Sequence, residues 1–244
     1  MRERGRVGAK PARRRDERQA SVGAVLDLLL PQRCLGCRTG GSVLCAGCTA
    51  ALPRLGTTLC ERCGAPTAWP VRRCRECAGR RLAFASARAA VAYDGAVRAV
   101  VAAWKERGLR RLAATAADLV VEAVPRPGVA VLCFVPPERD RSLERGHHPA
   151  ERLARELGRR WELPVERLLR RTRAGARQRG LSHAARRANV RGAFAAARPI
   201  QTWIVLVDDV YTTGSTANAA ASALRKGGAL RVDVVTFART IRIR

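Results

Sequence analysis

The sequence is poor in aromatic residues, nearly free of lysine and without a long apolar run. Aromatic residues make up 4% of its 244 residues, and 44 arginines stand against only three lysines. The longest apolar run is far shorter than the roughly 20 residues that span a bilayer, so we expect no membrane-spanning segment. Scarce aromatic side chains also leave little surface on which nucleic-acid bases could stack.

The charge balance is strongly positive, with a formal net charge of +27 at pH 7. Such an excess suits a nucleic acid or a phosphorylated partner. The preference for arginine over lysine, together with abundant alanine, also fits a GC-rich genome, so mutational bias accounts for part of the charge. Since few aromatics accompany the arginines, we expect any nucleic acid to be bound through its phosphates rather than its bases.

Eight of the nine cysteines form four Cys-x-x-Cys pairs. Two residues inside each pair let both thiolates face one metal ion, and two pairs complete the four-sulfur shell of a structural zinc site. A segment with so few large apolar residues would need such a metal to fold. The sequence therefore predicts up to two structural zinc ions, with the ligands Cys34, Cys37, Cys45, Cys48, Cys60, Cys63, Cys74 and Cys77.

Alternatives to this interpretation are an interleaved pairing, a redox role and disulfide bonds. Short separations favour sequential pairing, in which the first two Cys-x-x-Cys pairs share one metal ion and the last two share another. Disulfides would require export. The basic start and the apolar run Val22–Leu30 imitate a signal peptide poorly, because Asp27 interrupts the run and no small-residue cleavage site follows. We therefore expect a cytoplasmic protein.

The stretch Ile204–Ala217 joins an apolar run, two carboxylates and a hydroxyl-rich loop. The run Ile204–Val207 is typical of a parallel strand buried on both faces, ending at Asp208 and Asp209. Adjacent carboxylates at a strand end can accept hydrogen bonds from vicinal hydroxyls or bind hydrated Mg²⁺. The loop that follows precedes a helix from Ala217, and such a turn presents backbone N–H groups to a phosphate. Its residues are Thr212, Thr213, Gly214, Ser215 and Thr216.

A ribose phosphate offers both the vicinal hydroxyls and the phosphate that this stretch could bind. The alternative is a plain strand end beside a Ser/Thr helix cap.

Strand and helix patterns alternate along the rest of the chain and predict an α/β fold with a parallel sheet. The predicted strands are 84–93, 129–135 and 231–238, with a short one from Phe194, and the predicted helices include 96–107 and 151–161. We predict a basic disordered tail over 1–19, a helix and cysteine module over 20–80, and a sheet domain over 84–244.

Four basic residues are candidates for contact with a diphosphate or a nucleic acid. Lys105 lies near the end of a predicted helix, where a solvated cation is the simplest interpretation. A loop after the second predicted strand carries Arg139, Arg141 and Arg145, which could bind a diphosphate through bidentate contacts. A solvated surface is the alternative for these arginines. The following His147-His148-Pro149 predicts a helix start rather than metal ligands, because no cysteine or carboxylate cluster accompanies it.

The run Asp208-Asp209-Val-Tyr-Thr-Thr-Gly-Ser-Thr216 resembles the phosphoribosyl pyrophosphate (PRPP) motif of type I phosphoribosyltransferases. Together with the cysteine module, Trp104-Lys105-Glu-Arg-Gly and Arg187-Ala-Asn-Val-Arg-Gly-Ala-Phe194, it resembles the ComF family of competence proteins. The family commonly has Arg-Gly-Phe-Asn-Gln where this chain has Arg-Gly-His-His-Pro, so the contacts of that Asn and Gln do not carry over.

This resemblance implies a double zinc ribbon followed by a type I phosphoribosyltransferase-like parallel sheet with helices on both faces. It implies that Asp208 and Asp209 contact ribose hydroxyls with Mg²⁺, and that the loop from Thr212 to Thr216 encloses the 5-phosphate of PRPP or another phosphorylated ribose. The stretch from about Leu168 to Arg191 corresponds to a mobile loop that closes over the reacting centre.

The resemblance further implies DNA uptake in natural transformation. Single-stranded DNA would be handled in the cytoplasm, with a competence helicase or a recombination protein as partner. Two alternatives remain, an active phosphoribosyltransferase on a base or amine acceptor and a PRPP-sensing regulator. Turnover of PRPP would favour the first alternative, and binding without turnover would favour the second. No hood segment that would select an acceptor can be read from the sequence.

Overall fold

The computed structural model describes residues 32–137, 147–172 and 192–241. The chain divides into two compact units, 1–45 and 46–244. Within the described ranges no helix has the length and apolar character needed to cross a bilayer. The predicted basic tail, the helix over 22–30, most of the 168–191 loop and the arginines at 139, 141 and 145 lie outside these residues. The domain boundaries near 19 and 80 stay predictions.

In the first unit, residues 32–45 form a tight turn around Cys34. The Cys34 N–H donates to Thr39 O at 2.8 Å, and the Leu35 N–H donates to Val43 O at 2.9 Å. Arg38 takes the left-handed conformation that closes the turn, with φ +67°. These bonds give the Cys34–Cys37 pair a knuckle geometry.

The second unit is an α/β fold around a five-stranded sheet in the order β1-β7-β6-β2-β3, with every neighbouring pair parallel. A separate antiparallel ribbon pairs β4 with β5. The strands are β1 Ser86–Ala92, β2 Val131–Phe134, β3 Val165–Glu166, β4 Leu169–Arg171, β5 Phe194–Ala196, β6 Trp203–Tyr211 and β7 Arg231–Arg239. The helices are α1 Ala46–Ala50, α2 Gly95–Glu106, α3 Leu112–Ala123, α4 Pro149–Trp161 and α5 Ser215–Lys226.

Both faces of the sheet are covered by helices. Alternate residues of a strand point to opposite faces, and Ile204 and Leu206 of β6 share a buried cluster with Leu224 of α5. The other face is covered by α2, α3 and α4: α3 and α4 pack on each other and on the sheet, and Trp104 of α2 meets Phe237 edge-on with ring centroids 6.2 Å apart. The predicted fold class is therefore confirmed.

The second cysteine group packs in the same core as the sheet. Cys60, Cys63 and Cys77 are buried in one cluster with Phe84 and Tyr211. The ribbon that carries these cysteines therefore shares its apolar interior with the strand ends.

One strand and one helix of the fold differ from the sequence prediction. Strand β6 does not end at Asp208 but continues to Tyr211, because β7 runs beside it and pairs Asp208 with Thr236 and Tyr211 with Arg239. Backbone pairing thus continues where the apolar pattern stops. Helix α3 was not predicted, although Leu112, Ala116 and other buried residues recur on one face at helical spacing.

Two glycines of the second cysteine ribbon allow a test of how closely that ribbon approaches the sheet. Gly64 and Gly79 are both left-handed, with φ +67° and φ +70°. A Cβ at Gly64 would lie 2.4 Å from the Ala87 carbonyl oxygen of β1, whereas a Cβ at Gly79 would meet nothing within 4 Å.

We predict that Gly79→Ala costs about 1–2 kcal/mol of unfolding free energy, the penalty of a left-handed non-glycine residue. Gly64→Ala should cost clearly more, since the strand backbone must also shift. Urea denaturation of both variants measures the difference. Equal losses would show that the ribbon does not contact β1 in solution.

Candidate functional site

The four cysteines of the second ribbon have their sulfur atoms arranged as a metal shell. The Sγ–Sγ distances are 3.7 Å for Cys60–Cys77, 3.4 Å for Cys63–Cys74 and 3.9 Å for Cys74–Cys77. A tetrahedral zinc with bonds of about 2.3 Å sets its sulfurs about 3.8 Å apart, whereas a disulfide requires about 2.05 Å. The group therefore fits zinc and contains no disulfide.

The surroundings of these thiols suit a bound cation. Burial disfavours the Cys60 thiolate, but backbone N–H groups of Cys63, Cys74 and Arg62 outweigh it and bring the pKa of Cys60 down to about 7. Burial raises the pKa of Cys77 to about 11 and also raises the pKa of Cys63. Since zinc binds the thiolate form, it would supply the charge that stabilises all four sulfurs.

The first cysteine group has the same design. The ligand atoms of Cys34, Cys37, Cys45 and Cys48 all lie within 4.8 Å of one another. The Cys45 N–H donates to Cys34 Sγ at 3.3 Å, as the Cys74 N–H does to Cys60 Sγ in the second group. Each group combines two consecutive Cys-x-x-Cys pairs, as the sequential pairing predicts, and both groups are consistent with zinc binding.

The hydroxyl-rich loop connects β6 to α5 in a compact turn. Helix α5 begins at Ser215, two residues before the predicted start, and follows Gly214 in the left-handed conformation, with φ +69°. The Ser215 N–H donates to Thr213 Oγ1 at 3.3 Å, and the Thr213 hydroxyl donates to Ser215 Oγ at 2.8 Å. A Cβ at Gly214 would lie 2.2 Å from Tyr211 Oη, so only glycine fits there.

The two aspartates lie near the carboxyl end of β6, where alternation directs their side chains to opposite faces. The Lys105 ammonium lies 2.6 Å from Asp209 Oδ2, with 30% of the lysine side chain and 14% of the aspartate side chain exposed. Asp208 Oδ1 accepts from the Asp209 N–H at 2.9 Å. Burial and the Asp209 carboxylate raise the pKa of Asp208 to about 7, against the opposing effect of Lys105. A divalent cation bound by the pair would favour ionised Asp208, and the displaced proton would pass to solvent.

Lys105 is therefore not a solvated cation at a helix end, because it forms an ion pair within the site. Its position follows from α2, whose last turn brings Lys105 over the end of β6.

A cavity of about 310 Å³ opens beside these groups. The candidate residues that line it are Lys105, Asp208, Asp209, Thr212 and Thr216. Thr213, Gly214 and Ser215 shape the loop behind them.

Among the other residues that line the cavity, three with basic side chains were not predicted as site residues. Arg171 donates from Nε to Pro136 O at 3.0 Å, and its guanidinium lies 4.8 Å from the Phe194 ring centroid. His147 Nε2 lies 2.7 Å from Trp104 O. His148 Nδ1 accepts from the Glu151 N–H at 3.3 Å, and burial lowers the pKa of His148 to about 4. Arg171 could not be distinguished by sequence from its many arginine neighbours.

The predicted role of His147-His148-Pro149 as a helix start is confirmed. His148 caps α4, and Pro149 occupies its first turn, where a missing N–H has no cost.

Two ribbon-type cysteine groups, and a parallel sheet with an acidic pair and a hydroxyl loop, define a cysteine-ribbon module joined to a parallel α/β half. The family model of the double zinc ribbon domain matches residues 25–78. The DNA utilization protein YhgH of Salmonella typhimurium is 30% identical over 230 residues, which cover 88% of this chain and 100% of that protein. Competence protein F of Haemophilus influenzae is 27% identical over 85% of this chain and 96% of its own length.

The chain therefore belongs to the ComF family, with DNA utilization protein YhgH and competence protein F as relatives. Among solved structures, the glutamine PRPP amidotransferase of B. subtilis, complexed with ADP and GMP, matches 52% of this chain and 25% of its own, at 23% identity and a TM-score of 0.33.

We predict that the purified protein contains two zinc ions per chain, one in each cysteine group. Replacing Cys60 and Cys63 together by Ser should remove one zinc and lower the melting temperature of the sheet unit, because both side chains lie in its core. Replacing Cys34 and Cys37 should remove the other zinc and leave that melting transition in place. Elemental analysis and calorimetry measure both effects, and folded wild-type protein without zinc would contradict the prediction.

Proposed function

We propose that this protein handles incoming single-stranded DNA in the cytoplasm during natural transformation, and that its β6–α5 site binds PRPP or a related ribose phosphate with Mg²⁺. The observation that carries the ligand proposal is one cavity lined by Asp208, Asp209, Thr212, Thr216 and Lys105. The relatives support the role in DNA uptake, since one is named a competence protein and another a DNA utilization protein.

The acidic pair would bind the ribose and the metal. Asp208 and Asp209 offer carboxylate oxygens to two vicinal hydroxyls and to a hydrated Mg²⁺, which prefers such ligands. The Asp209 oxygen now paired with Lys105 would be shared or released when the ligand arrives. Mg²⁺ would also favour ionised Asp208, whose pKa is raised in the ligand-free protein.

The loop would bind the phosphate. Thr212 and Thr216 line the cavity, and α5 begins between them at Ser215, so hydroxyls and free backbone N–H groups of the first helical turn meet there. Lys105 and Arg171 line the same cavity and would neutralise a diphosphate on C1 of the ribose. At about 310 Å³, the cavity is at the lower end of the size range of small-molecule sites.

Exposed arginines of the second ribbon support the DNA proposal. Arg72, Arg73 and Arg75 are exposed on one short segment, and the nearby Glu76 is paired with the buried Arg239. The segment therefore presents positive charge without a neutralising carboxylate of its own. Such a surface would bind the phosphates of a single strand with little base preference.

The ligand proposal predicts that PRPP binds in a Mg²⁺-dependent way. Changing Asp208 and Asp209 together to Asn should weaken binding at least tenfold, since it removes the charge that attracts the metal. Thr212→Val and Thr216→Val should each weaken binding several-fold, because a hydrogen bond to a charged group contributes about 1.5–3 kcal/mol. Asp118→Asn, at an exposed carboxylate on α3, is the matched control and should bind like the wild type.

Isothermal calorimetry and thermal shift measure these affinities. Absence of both heat and thermal shift with PRPP and Mg²⁺ in the wild type would refute the ligand proposal. Release of pyrophosphate from PRPP with a base or an amine would instead assign a phosphoribosyltransferase activity to the site. Gly214 is unsuitable for this test, since any side chain there collides with Tyr211.

The DNA proposal predicts that affinity for single-stranded DNA falls steeply with salt and depends little on sequence. Changing Arg72, Arg73 and Arg75 to Gln should reduce the slope of log K against log[salt] by about 2, at about 0.7 per phosphate contact. Arg155→Gln with Arg159→Gln serves as control, because Glu151 and Glu156 already pair those arginines. Fluorescence anisotropy over a salt series measures the slope, and salt-independent binding would contradict the proposal.

A further inference from the structure

Arg80 connects the second cysteine ribbon to the phosphate loop. It lies three residues after Cys77, and its backbone N–H donates to Cys77 O at 3.2 Å. Its guanidinium reaches across and donates from Nη2 to the Thr213 carbonyl oxygen at 2.9 Å. A residue fixed to the metal-binding knuckle thus bonds to the backbone of the loop that would enclose the phosphate.

Arg239 makes a second connection, through Tyr211. It is 1% exposed, and its guanidinium donates to Cys63 O and, at 3.0 Å, to Glu76 Oε2. The same guanidinium lies 5.2 Å from the centroid of the Tyr211 ring. Tyr211 in turn packs directly against Gly214, leaving no room for a side chain there. A continuous series of contacts therefore joins the second ribbon to the loop, through the buried Arg239 guanidinium and the Tyr211 ring.

A third connection fixes the first turn of α5. The Ala83 N–H donates to Asn218 Oδ1 at 2.7 Å, and Asn218 Nδ2 donates to Arg81 O at 3.4 Å. The segment just after the second ribbon thereby anchors the helix whose N-terminus faces the cavity.

The loop has few bonds of its own. Within the part of the chain that the structure describes, its internal hydrogen bonds are those between Thr213 and Ser215 and the first helical bond from Asn218 N to Gly214 O. The strand before it is held by β7, since the Thr240 N–H donates to Tyr211 O at 2.9 Å, and the side-chain support of the loop itself comes from the ribbon through Arg80 and Tyr211. Because buried thiolates that converge repel one another, a bound cation would stabilise the ribbon and, through these contacts, the loop.

We propose that zinc bound by Cys60, Cys63, Cys74 and Cys77 holds the phosphate loop in its ligand-binding conformation, with Arg80 and Arg239 as positioning residues. The inference rests on the proposed function of the loop as the phosphate site. It makes the affinity for a ribose phosphate depend on the zinc content of the second ribbon. Because linkage is reciprocal, a bound ribose phosphate should in turn slow the loss of that zinc.

The decisive variant is Arg80→Gln, since Arg80 is partly exposed and its loss should leave the fold intact. We expect faster hydrogen exchange of the amides from Thr212 to Asn218 and an affinity for PRPP–Mg²⁺ reduced about threefold to tenfold, the effect of one lost hydrogen bond. Arg80→Lys keeps a donor and should restore part of the affinity. Arg159→Gln removes an exposed arginine of α4 and should change neither readout.

A second measurement tests the reciprocal effect. Transfer of zinc to a colorimetric chelator is followed in the full-length protein with and without PRPP–Mg²⁺. In the wild type the ligand should slow release of the zinc that belongs to the second ribbon, and in Arg80→Gln this slowing should be smaller. Arg239→Leu should abolish the slowing, and its melting temperature shows whether the variant is folded.

The outcomes separate this inference from the proposed function. If the wild type binds no PRPP but hydrogen exchange of the loop amides still rises in Arg80→Gln, the proposed function fails. The support of the loop by the ribbon then stands. If PRPP binds and Arg80→Gln changes neither loop exchange nor affinity, the proposed function stands and the inference is wrong.

Discussion

Parallel pairing is the constraint on which the candidate site depends. In a sheet whose neighbouring strands all run the same way, every carboxyl end reaches one edge. Tyr93 follows β1, Pro136 follows β2 and Asp208 lies near the end of β6, so all three lie at that edge. All three line one cavity. Tyr93 and Asp208, more than a hundred positions apart in the chain, thus line one cavity because of backbone pairing.

The length of β6 determines where the two aspartates lie. Because β7 stays paired with β6 as far as Tyr211, both aspartates belong to a rigid strand rather than to a loop. Their directions are fixed by alternation, one toward each face of the sheet. The Asp209 carboxylate can therefore pair with Lys105 on α2, while burial and the Asp209 carboxylate raise the pKa of Asp208. Two adjacent acids of the same type acquire different electrostatic surroundings from strand geometry alone.

Sequence reasoning recovered the features that depend on local pattern. The cysteine spacing favoured the two four-sulfur groups that the structure brings together. The apolar run at Ile204 and the loop after it located the strand, the turn and the helix. It could not recover contacts that depend on tertiary packing. Arg171 enters the cavity because β4 pairs with β5, and no local signal separates it from other arginines.

Lys105 illustrates the same limit, because its role also depends on tertiary packing. A lysine in the last turn of a helix interacts favourably with the helix dipole whatever the direction of its side chain. The sequence therefore predicted a solvent-exposed lysine. Only the placement of α2 over the end of β6 shows that the ammonium meets a carboxylate. Helix α3 was missed for a different reason, since its alanine-rich apolar face gave a weak periodic signal.

The bond from Arg239 to Cys63 joins residues separated by 176 positions. Because a ribosome works from the N-terminus, it synthesises the cysteine ribbon before β7, and the ribbon is made before its buried cation. Until Arg239 is added, the Glu76 carboxylate lacks this partner and the face of the Tyr211 ring lacks this cation. Contacts of such long sequence separation form slowly, and the ribbon can complete this contact only after β7 has been synthesised. The core of the ribbon therefore depends on a strand that lies far from it in the chain.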